Sequence, residues 1–310
     1  MRDTFGKVLS RLALKDGRVY ALDGDLANST KVDQVEKDSP EKFLQMGIAE
    51  QNMLSAAAGL ASTGLQPWAT SFAAFLSKRA LDQIQVQIAQ PNLDVKMVGA
   101  YSGLLTSKTG KTHQSLEDLA IFRTLVNMVV LSPGDDRELE QMMDFANTHK
   151  GPVYIRVTRD NYPEVTDEKY QFELGKGVEL KAGSDVNIIS TGSQTSRALE
   201  AVKLLEKEGL NVGVIHLPSI KPIDKDIIVN TAKKSKVLFS AEEHSIYGGL
   251  GSAVAEVLCE THPVKMYRIG VRDKNAESAP NDEMLDKFGL SPEMMAKQIL
   301  EKLHDDKEGK

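Results

Sequence analysis

Short runs of Val, Ile and Leu alternate with longer, Ala-rich stretches of helical periodicity along the whole chain. The short runs predict strands, at residues 18–22, 95–100, 128–132, 153–157, 186–190, 212–216 and 237–241. The longer stretches predict helices, at residues 49–62, 75–89, 196–208 and 252–260. A repeated order of strand and helix is typical of a mainly parallel sheet covered by helices. The pattern therefore predicts an α/β fold.

The alternation lapses once, between residues 163 and 183, where the chain is charged and poorly periodic. A length of 310 residues is roughly twice that of a typical domain. We therefore expect two domains joined by a linker, at residues 1–165 and 183–310, each with a mainly parallel sheet flanked by helices.

Composition excludes several classes of protein. With 38 basic and 44 acidic residues the net charge is −6, which argues against a general nucleic-acid binder. The single cysteine, Cys259, excludes an intramolecular disulfide framework and fits a reducing compartment. No apolar run resembles a signal peptide or a membrane span. We expect a cytoplasmic protein without a membrane partner.

Polar residues follow the first predicted strand, from Asp23 to Thr30, where the active sites of parallel sheets gather. Such residues often form a turn by hydrogen-bonding their own backbone. A loop that faces a ligand is the alternative. Neither a Walker loop nor a Rossmann fingerprint is present there, so a nucleotide site has little support.

A carboxylate and two aromatic rings are the next candidates. Glu50 begins the most Ala-rich helix, where the helix dipole favours a structural carboxylate. If it is buried, it could instead exchange a proton with a ring nitrogen. Phe72 and Phe75 are three residues apart, a spacing typical of a helix face in the core. They could also form an aromatic wall for a planar ring.

Two arginines and a histidine follow later strands. Strand alternation places Arg156 and Arg159 on different faces, so that one can pair structurally while the other faces a pocket. An arginine at a strand end suits a phosphate, and a surface salt bridge is the alternative. His113 ends a loop with two lysines, where a histidine is either exposed or catalytic.

Together these segments resemble the second half of a transketolase, its pyrimidine-binding domain followed by its C-terminal domain. The resemblance covers residues 2–303 and is most specific at 21–30, 48–53, 71–84, 112–123 and 153–161. The Gly-Asp-Gly motif with a later Asn, which marks the diphosphate- and Mg-binding half of that family, is not found in the sequence. The chain therefore resembles the C-terminal subunit of a split thiamine diphosphate-dependent transketolase.

The resemblance implies a site for thiamine diphosphate. Glu50 matches the glutamate that faces N1′ of the aminopyrimidine and manages its proton. Phe72 and Phe75 match the aromatic wall around that ring. Asp25 and Leu26 match the loop beside the cofactor, with Asp25 at the donor end of the site.

The resemblance also implies substrate contacts. Arg2, Ser29 and Arg159 match groups that bind a terminal phosphate, and His113 matches the catalytic histidine that handles substrate hydroxyl protons. Thr109 stands where many transketolases have an aspartate that contacts a donor hydroxyl. We therefore expect altered donor selectivity.

The activity implied is transfer of a two-carbon ketol unit from a ketose phosphate to an aldose, as in the pentose phosphate pathway. A partner subunit would supply the diphosphate site and the Mg²⁺ ligands, in an assembly with two copies of each chain. No metal ligand is assigned to this chain. The alternatives are the β subunit of a 2-oxoacid dehydrogenase, which shares fold and cofactor, and a non-catalytic regulatory subunit.

Overall fold

The computed structural model of the chain describes residues 1–106 and 108–309. Two mainly parallel sheets, each flanked by helices, form its architecture. The predicted α/β fold is therefore confirmed.

The strands differ in length and lie along the chain in the following order. They are β1 (Val19–Asp23), β2 (Phe43–Gln45), β3 (Gln66–Phe72), β4 (Lys96–Ala100), β5 (Val129–Leu131), β6 (Val153–Arg156), β7 (Val178–Lys181), β8 (Val186–Ser190), β9 (Val212–His216), β10 (Ser219–Lys221), β11 (Val237–Ser245) and β12 (Met266–Val271).

The helices of the described residues include several of less than two turns. They are α1 (Arg2–Lys15), α2 (Ala27–Thr30), α3 (Asp33–Asp38), α4 (Glu50–Ser62), α5 (Ala73–Arg79), α6 (Leu81–Gln83), α7 (Asp118–Thr124), α8 (Asp136–Thr148), α9 (Gln194–Lys207), α10 (Lys225–Lys234), α11 (Leu250–Glu260), α12 (Asn281–Phe288) and α13 (Pro292–Lys307). A 3-10 turn at Pro40–Lys42 and a π-helical segment at Ile84–Ala89 complete the set.

Strand pairing ties the two halves of the chain together. The first sheet has the order β10-β5-β6-β4-β3-β1-β2, so its edge strand β10 comes from the second half and runs antiparallel to β5. The second sheet has the order β12-β11-β8-β9-β7, with β7 antiparallel to β9. Ile189 and Ile215 share one apolar cluster with Met128 and Val130, so the core is continuous between the sheets.

Two local expectations differ from the structure. Residues 178–181, inside the segment predicted to be a linker, form β7, so the second sheet begins before residue 183. The helix predicted at 75–89 is wrong as a continuous α-helix. It breaks at Ala80 and continues as the π-helical segment, in which Gln90 N–H bonds to Gln85 O, five residues earlier. A π-segment absorbs one extra residue, which shifts the side-chain periodicity.

The carboxyl ends of β1, β3, β4 and β6 lie side by side in the first sheet. Asp23 is in register with Thr70, and Phe72 is in register with Ala100. The polar residues after these strands therefore meet at one edge, where the helices α4 and α5 begin.

No helix within residues 1–106 and 108–309 has the length and apolar content needed to cross a bilayer.

A buried lysine at the opposite end of the first sheet generates a pH prediction. Lys96 begins β4, and its Nζ atom lies 2.6 Å from Asp94 Oδ1 and donates to the carbonyls of His149 and Gly151. Burial lowers the pKa of Lys96 to about 8. Between this pKa and the ordinary lysine value of 10.5, the unfolded chain binds more protons than the folded chain. Stability therefore rises with pH in this window.

We predict that Lys96→Met loses this rise, which amounts to at most about 3 kcal/mol of unfolding free energy. Urea unfolding of both proteins between pH 7.5 and about 10.5 measures the difference as a function of pH. Lys150→Met, which removes an exposed lysine 3.6 Å from Asp94, is the control and should keep the rise. Parallel pH profiles for wild type and Lys96→Met would contradict the prediction.

Candidate functional site

Glu50 lies fully buried at the first position of α4. Its Oε1 atom accepts a hydrogen bond of 2.9 Å from Ser71 Oγ, and its Oε2 atom accepts one of 2.6 Å from Arg79 Nη1. A Cβ atom at Gly24 would lie 3.2 Å from Ser71 Oγ and 3.5 Å from Glu50 Oε1. The glycine after β1 therefore places no side chain against Ser71 and the Glu50 carboxylate.

The loop after β1 is held by Asp23, the last residue of this strand and the first of the polar segment predicted from the sequence. Asp23 Oδ2 accepts hydrogen bonds from the backbone N–H groups of Leu26 and Ala27 and from Gln45 Nε2. Burial raises the pKa of Asp23, while these hydrogen bonds oppose the rise. Asp25 is exposed, has a φ of 66°, and donates its backbone N–H to Gln45 Oε1.

An aromatic cluster lies beside this loop, at the ends of β3 and β4. The Phe72 ring stacks on Tyr101 at a centroid distance of 4.2 Å and on Phe75 at 5.7 Å. His113 meets both phenylalanines edge-on, at 5.9 and 5.4 Å. Leu26 packs against the same cluster. The sequence thus brings a histidine from a distant loop to the aromatic pair.

Two arginines flank Tyr101. Arg2 Nη1 donates to Tyr101 Oη at 2.7 Å and to the Ser29 carbonyl at 2.9 Å. The guanidinium carbons of Arg2 and Arg159 lie 5.5 and 5.9 Å from the Tyr101 ring centroid, within the range of a cation–π contact. Arg159 also pairs with Asp160 at 2.9 Å and is 30% exposed. The two charges therefore converge on one ring at the sheet edge.

Arg156 is the arginine of the predicted pair that forms a structural ion pair. It is buried and donates from Nε and Nη2 to Asp118, at 2.8 and 3.2 Å, and from Nη2 to the Glu243 carbonyl. Burial opposes ionisation of Asp118, but the adjacent Arg156 charge holds its pKa below the usual value. The role of Arg156 is structural, and Arg159 is the arginine that reaches the site edge.

The structure brings most of the predicted site residues into one connected set. Contacts made through Ser71, Arg79 and Tyr101 and within the aromatic cluster join Glu50, Phe75, Phe72, Leu26, His113, Arg2, Ser29 and Arg159. Ser29 contributes its carbonyl, since its hydroxyl donates to Asn28. The other two predicted site residues, Asp25 and Thr109, are exposed. Within the described residues, Asp25 hydrogen-bonds to Gln45 and Thr109 hydrogen-bonds to Thr106.

Three residues of this set have no site role predicted from the sequence. Arg79 and Ser71 are the hydrogen-bond partners of Glu50, and Tyr101 joins the aromatic cluster to the arginines. Arg79 is four residues after Phe75, the spacing at which helical side chains meet, and this signal could have identified it. Tyr101 directly follows a strand and has a φ of 51°, which no sequence pattern indicates.

Within residues 1–106 and 108–309, no three His, Cys, Asp or Glu side chains converge in a way that could hold a metal ion.

Comparison with known proteins gives two family matches. The model described as "Transketolase, pyrimidine binding domain" matches residues 1–165, and the model described as "Transketolase, C-terminal domain" matches residues 175–295.

Relatives and solved structures of similar length agree. The chain is 40% identical over 307 residues to a "Putative transketolase C-terminal section" of Methanocaldococcus jannaschii, covering 98% of this chain and 96% of the relative. It is 38% identical over 305 residues to the "6-deoxy-6-sulfo-D-fructose transketolase subunit SqwH" of a Clostridium strain, covering 98% and 94%. A solved structure titled "Split gene transketolase, inactive beta4 tetramer" superposes with a TM-score of 0.89 at 41% identity, covering 97% of each chain. This chain therefore belongs to the transketolase family, and it carries the pyrimidine-binding and C-terminal domains as the C-terminal subunits of split transketolases do.

Proposed function

We propose that this chain is the pyrimidine-binding subunit of a thiamine diphosphate-dependent transketolase, which transfers a two-carbon ketol unit from a ketose phosphate to an aldose. The observation that carries the proposal is the fully buried Glu50 carboxylate, which lies at a sheet edge beside the Phe72–Phe75 pair. A carboxylate and an aromatic wall are what a planar ring with a basic nitrogen requires.

The residues present fit the cofactor that the family uses. Gly24 places no side chain beside the Glu50 carboxylate, and a larger residue there would crowd Ser71 and Glu50. A carboxylate can hold or exchange a proton with the ring nitrogen, and aromatic faces favour stacking. When bound, thiamine diphosphate supplies the carbanion chemistry of the reaction, and the protein positions it and manages protons.

We assign the remaining cofactor contacts to the loop and the aromatic cluster. Phe72 and Phe75 would flank the aminopyrimidine, and Leu26 would complete the apolar wall, with Asp25 at the donor end. The partner subunit would hold the diphosphate and Mg²⁺, since that half of the family carries the motif that this sequence lacks.

Substrate recognition would occur at the cationic end of the site. Arg2 and Arg159 converge on Tyr101, next to Ser29, where a terminal phosphate or a similar anion could be bound by two guanidinium groups. The name of one relative includes a sulfonated sugar, which also carries a terminal anion. We propose ketose phosphates as the donors here, with Thr109 in the place of a residue that reads a donor hydroxyl.

His113 is the residue that we assign to substrate proton transfer. Its ring lies edge-on to both Phe72 and Phe75, at the side of the proposed cofactor site. The Nδ1 atom is hydrogen-bonded to Thr112 at 2.9 Å, so we assign the transfer to Nε2. A histidine exchanges protons readily near neutral pH.

We propose two domains, with the first at residues 1–165 and the second beginning before β7. We also propose that two copies of this chain assemble with two copies of the partner, in the cytoplasm.

The first prediction concerns the partner. The isolated chain should show no ketol transfer with thiamine diphosphate and Mg²⁺, and activity should appear when the co-purified partner is added. A coupled assay of ketose phosphate consumption measures this, with 2-oxoacids as alternative donors. Robust ketol transfer by this chain alone would contradict the split-enzyme proposal, and acyl transfer from a 2-oxoacid would favour the dehydrogenase alternative.

The second prediction concerns Glu50. In the assembled enzyme, Glu50→Gln should lower kcat by about 10²- to 10⁴-fold, because an amide cannot exchange a proton with the ring nitrogen. Proton exchange at C2 of the bound cofactor, followed by NMR, is the direct readout. Glu117→Gln, which removes a half-exposed carboxylate outside the cluster, is the control and should exchange at the normal rate. A normal rate in Glu50→Gln would remove this residue from the mechanism.

The third prediction concerns the anion end. Arg159→Met should lower kcat/KM for phosphorylated donors by about 10- to 100-fold, because a charge-assisted contact is removed. The value for unphosphorylated analogues should change little. Arg123→Met, which removes a largely buried arginine that pairs with the exposed Glu256, is the control and should leave both values unchanged. An equal drop for both donor classes would show that Arg159 does not bind the terminal group.

A further inference from the structure

Arg79 contacts both of the groups that the proposed function gives to the aminopyrimidine ring. Its Nη1 atom donates a hydrogen bond of 2.6 Å to Glu50 Oε2. Its guanidinium carbon lies 4.5 Å from the centroid of the Phe75 ring, in a cation–π contact. Arg79 therefore covers both Glu50 and one face of the Phe75 ring. A ligand can reach these two groups only after Arg79 has moved.

The guanidinium group has the chemistry that these two partners recognise. It is planar and delocalised, and it donates N–H hydrogen bonds in its own plane while its face stacks on an aromatic ring. An aminopyrimidine protonated at its ring nitrogen is also a flat cation with N–H donors in the ring plane. The same carboxylate and the same aromatic face can therefore hold either group.

We propose that Arg79 occupies the aminopyrimidine position in the unassembled chain and is displaced when the cofactor binds; this inference rests on the proposed function. Arg79 is the last residue of α5, just before the break at Ala80, and its side chain is 43% exposed. It can therefore swing into solvent without disturbing the core. Glu50 would keep its hydrogen bond from Ser71 in both states.

The neighbouring residue provides a matched control. Lys78 carries the same charge one position earlier, but its Nζ atom pairs with Glu117 at 3.1 Å, and both side chains are about half exposed. Removal of Lys78 therefore changes the net charge of the chain as much as removal of Arg79 does, and it leaves the contacts of Glu50 in place.

Displacement of a side chain from a binding site weakens the apparent affinity, because only the fraction of molecules with an open site can bind. Arg79→Gln should therefore bind thiamine diphosphate more tightly than wild type. This substitution removes one ion pair and one cation–π contact of a side chain that is 43% exposed, so solvent screens both, and together they correspond to about a 3- to 30-fold lower apparent Kd. Arg79→Lys, which keeps the charge but not the planar group, should give an intermediate value.

Calorimetric titration of the complex with its partner subunit, at fixed Mg²⁺, measures these dissociation constants for wild type, Arg79→Gln, Arg79→Lys and Lys78→Gln. In parallel, the ¹⁵N-labelled Arg79 side-chain resonance, assigned by its disappearance in Arg79→Gln, should shift when the cofactor binds to the wild-type complex. Tighter binding by Arg79→Gln with an unchanged Lys78→Gln supports the proposal.

Equal or weaker cofactor binding by Arg79→Gln would overturn the proposal while leaving the proposed function intact, and so would an Arg79 resonance that the cofactor does not move. If none of the complexes binds thiamine diphosphate, the proposed function fails and this inference fails with it.

Discussion

Glu243 joins the two halves of the chain through a carboxylate that is almost completely shielded from solvent. Its Oε1 atom accepts the backbone N–H groups of Leu104 and Leu105 from the first half, at 2.8 and 3.1 Å. Its Oε2 atom accepts Ser193 Oγ and Arg197 Nη1 from the second half, at 2.9 and 2.6 Å. Burial opposes the charge, but Arg197 holds the pKa of Glu243 below its usual value. A buried charge of this kind is tolerated only while all its partners are in place, so the two halves must dock in one arrangement.

This docking determines where the loop after β4 can lie. Gly103 has a φ of 84°, and a Cβ atom there would lie 2.4 Å from Glu243 Oε1, so no side chain fits at this position. The backbone of Gly103 pairs with Ser115, which closes the loop at its base. Gln114 then donates to the Leu104 carbonyl within the loop and to the Glu277 carbonyl of the second half. The position of His113 against the aromatic cluster therefore depends on contacts with the second half.

The sequence predicts those features that depend on neighbours along the chain. The buried strands β4, β5, β6, β8 and β9 are short, mainly apolar runs, and local periodicity finds them together with the first five residues of β11. The strand β10 has only three residues, and its place beside β5 follows from long-range pairing. In the candidate site, Glu50, Phe72 and Phe75 follow from family motifs. The motifs assign no role to Arg79, although its spacing of four residues from Phe75 within α5 is a local signal for their contact. Tyr101 has no such local signal, since its contacts with Arg2 and Arg159 join three segments that are distant in sequence.

The need to balance a buried carboxylate connects the fold with the division of the proposed enzyme into two chains. Removal of one partner from a buried ion pair is costly, because it leaves an uncompensated charge away from water. In an assembled site, the protonated aminopyrimidine can supply the opposite charge to Glu50. A subunit that folds before it meets its partner and cofactor needs another source of that charge, and Arg79, one turn beyond Phe75, is close enough to provide it. The same residue that stabilises the free chain would then compete with the cofactor. Arg79 would therefore raise the stability of the unassembled subunit and lower the affinity of the assembled site for its cofactor.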